Sequence, residues 1–197
     1  MSFNEFETDT QKLFLDAVNV LLQSIGEAPL EDEADINEVF EARIAASVIV
    51  EVKKEILSDN WDFNRDKSYE LSPDTNGVIA IPANILDLSS ADADLIVRGW
   101  KLYSKSNQTV EFDEPQTVDI VWDMAFNNLT HPIRNYITIA SARVFAARQV
   151  GDQVTLAYTR EDETKARMIA RRSDSRTTKD NIDRSSYGSE YLIAGGL

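Results

Sequence analysis

The side chains with catalytic potential in this sequence are carboxylates, 34 of them, set beside a single histidine, His131, and no cysteine. The missing thiol excludes disulfides, thiolate metal sites and a cysteine nucleophile. A nucleophilic triad needs a base close to its nucleophile. His131 stands immediately before Pro132, where it reads as part of a helix start. Seven glycines leave little with which to build phosphate loops, and no Gly-x-Ser-x-Gly elbow, Walker or Rossmann fingerprint occurs. A pair of carboxylates could hydrolyse a glycosidic bond, one as proton donor and the other as nucleophile or base. With so many acids, however, some pairs fall at suitable separations by chance. Glu31-Asp32-Glu33 reads as a solvated loop, and Glu161-Asp162-Glu163 as favourable charge near a helix N-terminus. A calcium site at 31–35 would need alternating ligands and a loop glycine, and lacks both. No catalytic, cofactor-binding or metal-binding residue is assigned, and no cofactor is expected.

Chemistry being absent, the composition sets the function classes. A chain of 197 residues can bury one core, or one core with a modest appended module. Hydrophobic content of 43% and charged content of 27% are those of a folded protein. The net charge of −14 is uneven: −12 over residues 1–75, −5 over 76–131 and +3 over 132–197. Such acidity repels nucleic acid unless a basic patch overrides it. It serves solubility, or it faces DNA and keeps the DNA from sticking. No apolar run approaches the roughly 20 residues of a membrane span, and the first seven residues lack the basic start of a signal peptide. The expectation is a chain made in a cytoplasm and soluble there.

The periodicity supplies the elements. Residues 8–25 predict an amphipathic helix, with Thr8 and Gln11 as its capping box and Gly26 and Pro29 as its stop. Residues 36–57 predict a longer helix capped by Asp35 and Glu38, apolar over so much of its circumference that neighbours should sandwich it. Short apolar runs then alternate with turn residues: 69–71, 78–81, 85–88, 95–97, 101–103, 109–112 and 117–121, the signature of a small antiparallel module. Trp61, Trp100 and Trp122 border it and read as core. Helical spacing resumes over 132–150, with Pro132 at the first position, and again over 153–172, which is far more charged. From Ser173 the pattern is polar and aperiodic. It ends in apolar anchors, Tyr187, Tyr191, Leu192 and Ile193, which suggest an arm that orders on a neighbour.

The fold class expected is α+β: mainly a bundle of about four helices with an inserted small antiparallel β module and an extended C-terminal arm. The boundaries expected are a discontinuous bundle, 1–64 and 126–175, a β module, 65–125, and an arm, 176–197.

Three stretches carry a resemblance. Ala17-Val18-Asn19-Val20-Leu21-Leu22-Gln23-Ser24-Ile25-Gly26-Glu27-Ala28-Pro29 resembles the opening A-V-N-x-x-L-x-S-I-G-E-x-P of tail tubular protein A of short-tailed podovirus phages. Asn60-Trp61-Asp62-Phe63-Asn64 is similar to the G-W-x-F-N element after that family's second helix, with Asn60 in place of Gly. Tyr136-Ile137-Thr138-Ile139-Ala140-Ser141-Ala142-Arg143-Val144-Phe145 resembles Y-I-x-x-x-A-S-R-x-F in its third. The resemblance implies a structural virion protein of the gatekeeper type, a dodecameric head-to-tail adaptor ring between the portal and the tail nozzle (tail tubular protein B), with tail fibres nearby. DNA would only pass through the lumen during ejection, and no membrane would be involved. Assembly would take place in the host cytoplasm, the free chain being monomeric until the portal orders it.

On this reading the helices pack side by side into the ring, the β module meets nozzle or fibre proteins, and the arm grips an adjacent subunit or the portal. The alternative is a tail-associated polysaccharide or peptidoglycan hydrolase using a carboxylate pair. A DNA-binding module using the basic segment 160–184 is a third reading, which the overall charge opposes.

Overall fold

The computed structural model describes residues 12–59, 61–150 and 158–190, with side chains described over 12–59, 61–149 and 158–175. The chain divides into two compact units, Met1–Lys53 with Ala125–Leu197 and Lys54–Met124. The architecture is α+β, as the alternation of helical and strand-like spacing implies.

In the helical unit, α1 (Leu13–Ser24) buries Leu15, Ala17, Val18, Leu21 and Leu22. Thr8 and Gln11, expected as its cap, lie outside the described residues. Its C-terminus closes as expected: Gly26 adopts φ +86°, and the Glu27 N–H donates to the Leu22 carbonyl at 3.0 Å. A 3-10 turn (Glu33–Asn37) follows, capped by Asp32, whose carboxylate accepts from the Ala34 N–H. The next helix, α2 (Phe40–Ser58), thus starts later than the predicted 36. Asp35 serves through its backbone carbonyl, which accepts from Val39 at 3.1 Å. Ala42, Ala45, Val48, Ile49, Val52, Ile56 and Leu57 of α2 are buried, whereas Phe40 and Val50 are 61% and 42% exposed. The predicted sandwich is therefore incomplete among the described residues.

The central helix is α3 (His131–Val150). It buries Ile133, Tyr136, Ile137, Ala140, Ser141, Ala142, Phe145 and Ala146. Its small residues let neighbours approach closely, and α1 and α4 (Arg160–Glu190) both pack on it. Pro132 occupies the second helical position, still within the turn whose N–H groups have no intrahelical acceptor. Residues 153–157 of the predicted fourth helix lie outside the described residues, and Tyr158 and Thr159 are not helical. Thr159 and Asp162 form the capping box: the Thr159 hydroxyl donates to the Asp162 carboxylate at 2.7 Å and accepts from its N–H at 3.2 Å.

α4 runs on through Glu190, into the stretch 176–197 expected as an extended arm. Over 173–190 there is no proline and a single glycine, Gly188, so nothing breaks a ladder already nucleated on α3, and propagation adds one bond per residue. Aperiodic polarity does not by itself end a helix.

The β unit holds a three-stranded antiparallel sheet ordered β1-β5-β2 and a separate hairpin β3-β4. The strands are β1 (Arg65–Leu71), β2 (Ile85–Ser89), β3 (Leu95–Arg98), β4 (Lys101–Ser104) and β5 (Gln116–Trp122). The runs 78–81 and 109–112 form isolated bridges, Val78 to Glu111 and Ser104 to Thr109, and not strands. Leu71, Ile79, Ile81, Leu102, Val118 and Ile120 make the core, so the bridge segment contributes apolar side chains even though it lacks a ladder.

Trp61 is 1% exposed, in line with a core tryptophan, and Trp122 is half-buried. Trp100 departs from that expectation at 63% exposure. It shares the two-residue β3-β4 turn with Gly99, both at left-handed φ, +61° and +60°. This geometry matches the twist of the paired strands, and the turn carries the side chain out of the core.

Candidate functional site

Among the described residues no group of three or more His, Cys, Asp or Glu side chains could hold a metal. His131 is exposed at the first position of α3, beside an open hollow of about 250 Å³ shared with Asp16, Arg134 and Asn135. The shifted carboxyls are all drawn below their ordinary range. Glu51 is lowered by its hydrogen bond with Arg148, and Asp162 by the Thr159 hydroxyl. Asp74 is lowered by the Val78 N–H, Asp94 by the Ser104 hydroxyl and Asp119 by the Ser68 N–H. None of these five is held protonated, as a general acid must be.

These carboxylates hold backbone together. The bulge in β1 between Asp66 and Tyr69 puts Ser68 at φ +55°. Its N–H, out of the ladder, donates to Asp119 at 3.0 Å while Arg65 donates to the other Asp119 oxygen at 2.8 Å. Asp74 accepts from Asn76 and Val78 in one turn. Asp94 accepts from both Ser104 and Ser106. A depressed carboxyl contributes stability that is complete above its unfolded value, about 3.9 for Asp, and is lost as pH falls through the lower folded value. The β unit is therefore expected to keep a constant urea midpoint from pH 7 to about 5 and to lose it progressively below about pH 4. Equilibrium unfolding across that range measures it.

What the helical unit does present is apolar surface. Phe14 of α1, Ile36 and Asn37 of the 3-10 turn, and Ala46, Ser47 and Val50 of α2 line an open hollow of about 420 Å³ with Glu33 on its edge. A second hollow of about 220 Å³ shares Phe14, Glu33 and Val50 and extends to Phe126. Phe14 and Phe126 meet edge to face at 5.6 Å. On α4, Met168 and Ile169 are 63% and 57% exposed. Arg148 of α3 and Glu51 of α2 form a two-armed ion pair at 2.7 and 2.8 Å, fixing α2 against α3. In the β unit Val97 and Trp100 are exposed on the hairpin, and Arg98 stacks over Tyr103 with 3.9 Å to the ring centroid.

Of the residues expected to anchor a partner, Tyr187 falls on α4, whereas Tyr191, Leu192 and Ile193 lie outside the described residues. The structure also gives a role to Asn19, which periodicity passes over as a polar residue inside an apolar stripe. The Asn19 side chain donates to the Leu30 carbonyl at 2.9 Å and accepts the Leu30 N–H at 2.7 Å. This double hydrogen bond folds the Gly26–Pro29 turn back along α1. Asn19→Ala is expected to cost about 1–3 kcal/mol, since it leaves both Leu30 groups without these partners. Chemical denaturation of the helical unit, with amide exchange at Leu30, checks it.

A family model described as "Tail tubular protein" matches residues 15–180. The chain is 31% identical over 163 residues to a protein named tail tubular protein A from Klebsiella phage KP34, covering 80% of this chain and 84% of that one.

Proposed function

The chain belongs to the tail tubular protein family, a family of structural proteins of the phage tail not known as an enzyme family, and on that premise we propose that it is a ring-forming head-to-tail adaptor. In this reading copies of the helical unit associate side by side as a dodecamer on the portal. The β unit takes the contacts with the nozzle protein and tail fibre, and the lumen forms part of the channel through which DNA leaves. Assembly takes place in the host cytoplasm.

The observation that carries the reading is apolar surface left uncovered on two helices of the helical unit, Phe40 and Val50 on α2 and Met168 and Ile169 on α4. Exposed aliphatic and aromatic groups gathered on one unit mark association surfaces. A net charge of −14 adds support, because an acidic wall does not retain a passing polyanion.

Native mass measurement of the purified chain with and without its portal protein tests the proposal. A ring bound to portal is expected. A chain that stays monomeric and ignores the portal overturns it. Deleting 186–197, which removes the Tyr187, Tyr191, Leu192 and Ile193 anchors, is expected to weaken portal association and leave the thermal midpoint of the helical unit in place. Unchanged portal affinity would remove the anchoring role.

A further inference from the structure

We propose that the exposed Met168–Ile169 pair on α4 inserts into the Phe14–Ile36–Val50 hollow of a second copy, so that the two patches are the unlike halves of one repeating contact. The proposal rests on the ring-forming reading above and states which surfaces carry it.

Charge identifies the occupant. From Glu27 to Glu41 the sequence holds seven acidic residues and no basic one. Glu31, Glu33 and Glu38 of that stretch are exposed, with Glu33 on the edge of the hollow itself. From 164 to 173 it holds four basic residues and no acidic one. Arg167 and Arg172 of that stretch are exposed around Met168 and Ile169, while Lys165 is paired with Glu161 at 3.0 Å and Asp162 lies on the N-terminal side of Ile169. One patch is an apolar hollow with an acidic rim, the other an apolar knob with a basic rim. An apolar centre within a charged rim is the ordinary anatomy of a protein interface, and opposite rims orient the approach. No second protein is needed to supply the complement, because this chain already carries it.

The two patches are distinct. The hollow is built by α1, the 3-10 turn and α2, whereas α4 packs on α3 and contributes nothing to it. A contact between unlike patches cannot close as a two-fold dimer. Each copy that uses its knob still offers its hollow, so addition continues until the rotation between copies closes a ring.

Two variants separate the halves: Val50→Asp disables the hollow and Ile169→Asp disables the knob. Both positions are exposed, 42% and 57%, and thermal unfolding confirms that each variant is folded. Wild type assembled at high concentration or on purified portal is the reference. Each variant alone is expected to lose at least about 30-fold in self-association, the scale of a central interface residue. Mixed in equal amounts, they are expected to form a one-to-one dimer and nothing larger, since one sound knob meets one sound hollow and both free ends are blocked. Variants that assemble like wild type, or a mixture that stays monomeric, overturn the proposal while leaving the adaptor reading intact. A wild type that neither self-associates nor binds portal overturns the adaptor reading itself, and this contact with it.

Discussion

Replacing Trp61 with alanine is expected to destabilise the β unit by about 3–5 kcal/mol, the range for removing a buried aromatic ring from a packed core. Trp61 is 1% exposed and among the largest fully buried side chains. Its ring lies 6.0 Å from that of Phe63, and its indole N–H donates to the Ile56 carbonyl at 2.6 Å. That carbonyl lies in the last turn of α2 and also accepts from the Asp59 N–H at 3.1 Å, so alanine both opens a cavity and removes one of the carbonyl's two donors. Trp61→Phe should recover part of the loss through packing while leaving the Ile56 carbonyl with the Asp59 N–H as its one donor. Urea unfolding of the two variants distinguishes the contributions, and equal losses for alanine and phenylalanine would show that the hydrogen bond accounts for the effect.

The second large effect is expected at Asn64, which is 2% exposed. Its side-chain amide donates to the Leu57 carbonyl and to the Trp122 carbonyl, each at 2.9 Å, and its backbone carbonyl accepts from the Trp122 N–H at 2.8 Å. One residue thus joins the end of α2 to the end of β5. Asn64→Asp preserves the shape, yet it replaces two donors with acceptors and buries a charge beside two carbonyls. The expected cost at pH 7 is several kcal/mol, roughly that of an uncompensated buried ion. Stability should partly return on acidification toward pH 5, because a protonated carboxyl regains one donor. The sign is opposite to that of Asp74, Asp94 and Asp119, whose ionised forms the fold prefers. A variant as stable as the parent at pH 7 would show that the amide bonds contribute little.

The contrast between these two positions bears on how far the sequence was readable. Trp61 stands out by type alone, a large aromatic ring where helix hands over to strand, and a core role follows. Asn64 and Asn19 do not stand out. A polar residue next to apolar ones carries no periodic signal, and their roles depend on carbonyls 58 and 11 positions away in the chain. The helices were legible wherever they bury one face: α3 emerges close to its predicted span, and α1 ends close to its predicted stop. Boundaries were lost where capping chemistry could be met in several ways. Asp32, not Asp35, supplies the side-chain cap before α2, and Thr159 with Asp162 sets the start of α4.

The β runs show a different limit. Alternation locates apolar segments, and all seven were found, but the 78–81 and 109–112 runs fill the core without joining a ladder. Strand pairing is a long-range property that spacing cannot express. The assembly surfaces were legible only in outline. Surplus apolar residues on the second helix could be counted, but which of them stay uncovered follows from the packing of α1 and α3. Met168 and Ile169 sit in a segment too charged for spacing to single them out.

Trp100, held outward on the hairpin turn while Trp61 is enclosed, gives the molecule a built-in optical probe. An indole in contact with water emits at longer wavelength and collides freely with dissolved quenchers, whereas an enclosed one is shielded from both. Selective quenching of the red edge of the emission spectrum would follow the β3-β4 turn once half-buried Trp122 is replaced by Phe, and its protection on mixing with nozzle or fibre protein would register docking there without any label.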